Sequence, residues 1–272
     1  MTPAVALTIA GSDSGGGAGI QADLKVFAAL GVYGTSVITA VTAQNTRAVT
    51  GVHAVPSTMV AGQLDTVLDD LPVRAAKTGM LGSQRIATAV AARVRAGQLP
   101  ALVVDPVLVS TSGHRLGAAT AVQRLLPYAL ISTPNRAEAA ALLGRPVDTP
   151  DEMAAAARDL AAGGPRFVLV TGGDAGADGT TPGEAVDAFW TGTRSILLRG
   201  PWIATRNTHG TGCSLSAAIA ARLALGDDVP AAVRAAKEYV GRALAGGSGW
   251  RLGTGHGPLD HFGWSDRNPG GC

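Results

Sequence analysis

The sequence predicts an α/β fold built on a mostly parallel sheet with helices on both faces. Short β-like runs alternate with longer Ala- and Leu-rich helical runs along the whole chain. Hydrophobic residues make up 46% of the 272 positions and charged residues only 15%, enough apolar side chain to bury a sizeable core. No internal repeat and no long polar linker interrupts the alternation. Alternating strands and helices imply βαβ units, whose crossovers lay helices over both faces of a parallel sheet. Residues 1–272 are therefore read as one domain, with residues 246–272 as a Gly-rich tail that is mostly loop.

The elements follow in order. Residues 5–10 read as a buried strand. Residues 19–30 read as a helix, with Ile20, Leu24, Phe27 and Ala28 near helical spacing and Gly31 at the stop. Residues 34–43, rich in Val, Ile and Thr, read as a strand, and 57–71 as a helix opened by Ser57 after Pro56. A strand at 73–77 precedes a helix at 83–96, capped by Ser83 and stopped by Gly97. Strands at 101–105 and 129–132 follow, then a helix from about Asn135. Thr149-Pro150-Asp151-Glu152 is a helix start signal, giving a helix at 149–162. Residues 167–171 read as a strand ending in Gly172-Gly173, and 184–190 with 195–198 as a hairpin around Thr191-Gly192. Residues 210–225 and 229–244 read as the last two helices.

Composition excludes several classes. Net charge is only +2 with the basic residues scattered, which gives no nucleic-acid track, and aromatics at 4% give no base-stacking platform. No apolar run is long enough to span a bilayer. Residues 4–10 lack a basic flank and read as the first strand, not as a secretion signal. The two cysteines, Cys213 and Cys272, form no CxxC and suit a reducing cytosol. The expected protein is a cytoplasmic one with a small-molecule partner.

Two Gly-rich turns carry the chemistry. The run Gly11 to Gly19 does not spell GxGxxG in any register, and no segment spells GxxxxGK[ST]. A dinucleotide oxidoreductase and a P-loop NTPase both lose ground. Five glycines with Ser12, Asp13 and Ser14 still exceed what a strand–helix connection requires, and glycines let a ligand approach the backbone closely. The second turn, Asn207 to Ser214, leads into an apolar helix. Successive N–H groups at a helix start, with Gly210 and Gly212 lacking Cβ, can form an anion site. An ordinary N-cap by Thr208 or Thr211 would fit the same residues.

Taken together, these segments resemble one family. Ala6 to Lys25, Thr39-Ala40-Val41-Thr42-Ala43-Gln44-Asn45-Thr46 and Lys77-Thr78-Gly79-Met80-Leu81 are similar to successive blocks of the hydroxymethylpyrimidine and phosphomethylpyrimidine kinases of thiamine synthesis. Val104-Asp105-Pro106-Val107, Thr133-Pro134-Asn135-Arg136-Ala137-Glu138-Ala139 and Thr208-His209-Gly210-Thr211-Gly212-Cys213-Ser214 complete the set in order. The resemblance implies a three-layer α/β/α sandwich of the ribokinase-like type, use of ATP with Mg²⁺, and a homodimer. It also implies two successive phosphoryl transfers to one pyrimidine.

The resemblance assigns residues to roles. Gly210, Thr211 and Gly212 would donate N–H groups to the transferring phosphoryl, and Lys237 would reach the phosphates. Cys213 stands where most of the wider superfamily has an aspartate base. A helix N-terminus lowers a thiol pKa, so Cys213 is expected to take the hydroxymethyl proton. Gln44 would read the pyrimidine, whose ring nitrogen and amine match an amide's acceptor and donors. Gly11, Met80 and Val107 would line the same pocket, and Asp23 would face the substrate or simply favour its helix end. Asp105 and Glu138 would serve the metal. Asn135, Thr171, Gly172 and Gly173 would lie along the nucleotide, although Asn135 and Glu138 also have capping-pair spacing. Residues 110–116 read as a flap, and His209 as a structural neighbour of the anion loop. A pyridoxal kinase of the same branch and a non-catalytic pyrimidine-binding regulator are the competing readings.

Overall fold

The computed structural model describes residues 2–108, 119–173 and 183–267. The flap expected at residues 110–116 lies outside them. The chain runs β1 (Val5–Asp13), α1 (Gly19–Ala29), β2 (Tyr33–Gln44), β3 (Val49–Ala54), α2 (Ser57–Asp70), β4 (Val73–Thr78) and α3 (Gln84–Arg95). It continues with β5 (Leu102–Val104), α4 (Ala119–Gln123), β6 (Ile131–Ser132), α5 (Arg136–Leu143) and α6 (Pro150–Ala161). The remainder is β7 (Phe167–Val170), β8 (Glu184–Trp190), β9 (Ser195–Pro201), α7 (Thr211–Ala224), α8 (Val229–Gly247) and α9 (Trp264–Arg267).

Among the described residues, all nine strands join one sheet in the order β3-β2-β1-β4-β5-β6-β7-β8-β9. Pairing is parallel from β2 to β7, and β3, β8 and β9 add antiparallel edges. The period-2 alternation of each strand sorts its side chains between two cores. Ala4 and Ala6 of the first segment join Phe167, Leu169 and the inner faces of α1, α7 and α8. Leu7 and Ile9 point the other way, toward α2 and α3. Val168 and Val170 likewise face α5 and α6. The result is the three-layer α/β/α sandwich, and the chain starts and stops match residue chemistry. Ser83 accepts from the Ile86 amide at 3.3 Å, and Thr149 with Glu152 closes a capping box ahead of Pro150.

The expected element series departs in several places, the unexpected short helices α4 and α9 among them. Strand β3 was not expected: its residues are almost all exposed, so its sequence carries no buried-face alternation. Strand β1 runs three residues beyond its apolar stretch, through a register shift between Ala10 and Ser12. The tail is mostly loop but closely packed. Leu259 is 1% exposed in the core beside α8, and the Asp260 carboxylate accepts from the amides of Phe262, Trp264 and Ser265.

The order of strands fixes where a ligand can sit. The chain leaves β1 to one side, through β2 and the edge strand β3, and returns by α2 to β4 on the other side, so a crevice opens at the carboxyl ends of β1 and β4.

His261 in the tail is buried, with its Nε2 2.9 Å from the Ser214 hydroxyl of α7. Burial, then the nearby Lys25, lower its pKa to about 4 against an opposing pull from Asp260. The unfolded imidazole titrates near 6.5, so this contribution is complete above that pH and is lost as pH falls toward 4. Urea midpoints should fall between pH 7 and pH 4.5, by up to about 3 kcal/mol at the low end. His261→Gln should lose that part of the acid sensitivity.

Candidate active site

A cavity of about 900 Å³, counted to its open mouth, occupies the crevice. Five of the parallel strands supply most of its wall at their carboxyl ends: Gly11, Ser12 and Asp13 from β1, Gln44 from β2, Gly79 and Met80 after β4, Asp105 and Val107 after β5, and Thr133 and Asn135 after β6. Glu138 of α5, Thr171 after β7 and residues 208–213 close the remaining wall. Twelve expected residues thus share one cavity: Gly11, Gln44, Met80, Asp105, Val107, Asn135, Glu138, Thr171, Gly210, Thr211, Gly212 and Cys213.

The anion turn is built on backbone. Gly210 is the N-cap of α7 with φ +87°, a conformation that favours glycine, and no side chain caps the helix. The Thr208 and Thr211 caps that the sequence allows are therefore not used on α7. The hydroxyl and amide of Thr211 both turn back to the Thr208 carbonyl, at 2.7 and 3.2 Å. The following amides, of Gly212 and Cys213, are among those that a helix start leaves without an intrahelical acceptor, and both residues line the cavity.

Under this turn lies a buried charge cluster. Lys77 Nζ is fully buried and donates to both oxygens of Asp23, at 2.9 and 3.0 Å, with Asp105 Oδ2 3.6 Å away. Thr8 donates to Asp23 and Ser216 of α7 donates to Asp105. Burial opposes the Lys77 charge, but Asp23 and then the other acidic groups around it outweigh that, so the ammonium stays protonated. This corrects the expectation for Asp23. Its carboxylate is completely buried and spent on Lys77 and Thr8, so it faces no substrate.

Cys213 also departs from expectation. Burial pushes its thiol up to about 12; Lys77 pulls it down, while Asp105 and Asp23 push it further up. The helix start does not produce a thiolate here, because desolvation and two carboxylates exceed the help from one ammonium and the Gly19 amide.

Lys237 is the third departure. Its ammonium is held by Asp187 Oδ2 at 2.6 Å and does not line the cavity, while Asp187 Oδ1 accepts from the Gly172 amide at 3.0 Å. Among the described residues of the turn after β7, Thr171 lines the cavity and Gly172 and Gly173 do not. Asn135 and Glu138 do both things their spacing allowed. They close a capping box on α5 and also line the cavity.

At the mouth the side chains of Asp13, His209 and Gln44 meet. Asp13 Oδ2 lies 2.9 Å from His209 Nε2, and Asp13 accepts from the amides of Gly15, Gly17 and Ala18. Burial would raise this carboxyl, but His209 and those amides outweigh it and hold it below its usual value. Gln44 Nε2 lies 3.4 Å from the same His209 nitrogen, and Thr42 donates to its Oε1 at 3.0 Å. The sequence reading gave Asp13, Lys77 and Thr133 no role. Asp13 stood in a motif already singled out, and its Asx-type spacing to Gly15 was a usable signal.

The chain is similar to known proteins over nearly its whole length. The family model for phosphomethylpyrimidine kinase matches residues 13–260. The hydroxymethylpyrimidine/phosphomethylpyrimidine kinase of Streptomyces coelicolor is 49% identical, over 97% of this chain and 96% of its own. The chloroplastic thiamine biosynthetic bifunctional enzyme of Arabidopsis thaliana is 51% identical over 94% of this chain, which spans only 49% of that longer protein. Among solved structures, a Staphylococcus aureus pyridoxal kinase in complex with AMP-PCP and pyridoxal aligns with a TM-score of 0.87 and 34% identity, over 97% of this chain and 96% of its own. A phosphomethylpyrimidine kinase from Clostridium difficile aligns with a TM-score of 0.74 and 39% identity, over 88% and 99%.

Removing one member of a buried ion pair strands the other. Lys77→Met and Asp23→Ala should each lower stability by about 3–5 kcal/mol in urea unfolding. The double variant should cost less than the sum of the two, because neither charge is then left alone.

Proposed function

The chain belongs to the phosphomethylpyrimidine kinase family, and from that premise we propose that it phosphorylates 4-amino-5-hydroxymethyl-2-methylpyrimidine to the monophosphate and then to the diphosphate for thiamine synthesis. One observation supports this above the others: a helix-start anion turn at 210–213 and the amide of Gln44 address the same cavity. A phosphate site and a heteroaromatic reader in one cavity suit a small ring carrying a hydroxymethyl arm.

The residues present suit the groups the reaction needs. ATP would supply the phosphoryl group, and Mg²⁺ would neutralise charge between its phosphates. Asp105 and Glu138 already accept hydrogen bonds from Ser216, Leu108 and Asn135, and no cluster of three or more His, Cys, Asp or Glu among the described residues is arranged for a cation. That donor set fits a hydrated Mg²⁺ carried with the nucleotide, contacted through water, rather than a protein cage. Asn135 and Thr171 would flank the nucleotide phosphates.

The chain's own groups then position and neutralise. The amides of Gly212 and Cys213 hold the transferring phosphoryl, a preorganised contribution of roughly 3–4 kcal/mol for each donor in comparable anion holes. Met80 and Val107 pack the ring and Gln44 hydrogen-bonds its edge. Lys237 holds Asp187, and through it the Gly172 amide, beneath the nucleotide turn. Cys213 takes the hydroxymethyl proton through its minor thiolate form, which Lys77 stabilises as it appears. The second acceptor is already an anionic phosphate and needs no such base. The resemblance further implies a homodimer acting in the cytoplasm.

Incubation with Mg-ATP and either the hydroxymethylpyrimidine or pyridoxal, with products identified by mass, tests the reading. Pyrimidine mono- and diphosphates are expected. Pyridoxal phosphate alone would overturn the pyrimidine assignment, and no product from either would return the regulator reading. Cys213→Ala should slow the first transfer about a hundredfold and the second much less. In the wild type the first transfer should speed up as pH rises from 6 to 9, because the thiol titrates far above neutrality, and the variant should lose that slope. Equal slowing of both transfers would remove Cys213 from the proton step.

A further inference from the structure

The Gly-rich tail has no part in the chemistry above, yet it touches both rims of the cavity. On one side the Gly255 amide donates to Thr46 Oγ1 at 3.2 Å and the His256 amide donates to the Thr46 carbonyl at 2.9 Å. Thr46 is two residues from Gln44. On the other side the His209 amide donates to the Gly257 carbonyl at 3.0 Å, where His209 and Pro258 form an isolated parallel bridge. The His256 ring nitrogen Nδ1 lies 3.2 Å from the Arg206 carbonyl, and Asn207 Nδ2 donates to the carbonyls of Gly247 and Trp250, each at 2.8 Å. A few tail residues thus bridge two loops about 160 residues apart in sequence, one beside Gln44 and one leading into the anion turn, whose side chains Gln44 and His209 meet at the cavity.

The glycines explain how the tail can lie so close. A Cβ on Gly255 would fall on the carbonyl of Thr46, and one on Gly257 would fall on the Asn207 side chain. Gly249, in the same tail, has open space at its Cβ position. The glycine content here therefore serves close backbone approach at particular positions, not looseness. The strap is anchored beyond the rims as well. The Asp260 amide donates to Ala243 of α8, the Tyr239 hydroxyl donates to the His261 carbonyl, and the His261 ring meets Ser214, the residue after Cys213.

We propose that residues 253–261 form a strap that sets the separation of the pyrimidine-reading rim from the anion-binding rim, with Thr46, Gly255 and Gly257 as positioning residues. This rests on the kinase reading for its catalytic consequence, but not for its structural one. A reader on one rim and a phosphate hole on the other must stay at the span of a single small substrate, and a misplacement of about 1 Å can cost about a hundredfold in rate.

The test uses the full chain and two readouts. Hydrogen exchange followed by mass spectrometry is measured without substrate, and KM and kcat are measured with the hydroxymethylpyrimidine. Gly255→Ala should speed exchange in the segments 44–48 and 206–212, leave α6 unchanged, and raise the pyrimidine KM at least about tenfold. Gly249→Ala should match the wild type in both readouts. Thr46→Val should raise the KM and speed exchange in 44–48, whereas Thr46→Ser, which keeps the hydroxyl, should restore both. Unchanged exchange in both rims for Gly255→Ala, or identical behaviour of Thr46→Val and Thr46→Ser, would overturn the strap. If Gly255→Ala speeds exchange throughout the chain, the Thr46 pair decides. A wild type that phosphorylates no pyrimidine would defeat the kinase reading alone, and the exchange pattern would still judge the strap.

Discussion

The buried ammonium of Lys77 is the constraint around which the site is arranged. It rises from β4 with no solvent exposure, and an isolated charge there would be prohibitive. Asp23 on α1 and Asp105 at the end of β5 must therefore stand beside it. Ser216 of α7 then completes Asp105 from the opposite side. One charge thus draws two helices and two strands to a point directly under the anion turn. The cluster also decides the state of Cys213. Two carboxylates and partial desolvation at the cavity wall keep it a thiol, while the ammonium remains near enough to receive the charge when the proton leaves.

Much of this was legible in the sequence, for physical reasons. Helices α3, α5 and α6 carry their own start signals in Ser83, Asn135 and Thr149, so their caps are local facts. Strands β1, β5 and β7 are buried on both faces and read as continuous apolar runs. Strand β3 has almost no buried face and left no pattern, so only its pairing with β2 defines it. The same distinction divides the site. The anion turn is one contiguous segment and announced itself. Lys77 looked like the polar end of an apolar strand, because the partner that buries it is 54 residues away. Asp23 misled for the same reason: an early helix position says nothing about which neighbour claims the carboxylate.

The mouth of the cavity shows how local and distant constraints combine. Asp13 orders the first Gly-rich turn by accepting three of its amides, a local effect. The same carboxylate holds His209, which arrives from the other end of the chain. The first Gly-rich turn and the anion turn are therefore fastened together through one side chain, and Gln44 rests against that junction.

Asn135 and Glu138 hold a lesson for anyone reading mutational data on this protein. Each closes the other's hydrogen bonds at the start of α5 while also forming part of the cavity wall. Loss of such a cap lowers stability by about 0.5–2 kcal/mol on its own. A growth-based screen would therefore score substitutions at these positions as inactive even where the nucleotide still bound, because less folded protein would be present in the cell. Only after normalising to abundance would the contribution of these two side chains to turnover become separable from their contribution to the helix that carries them.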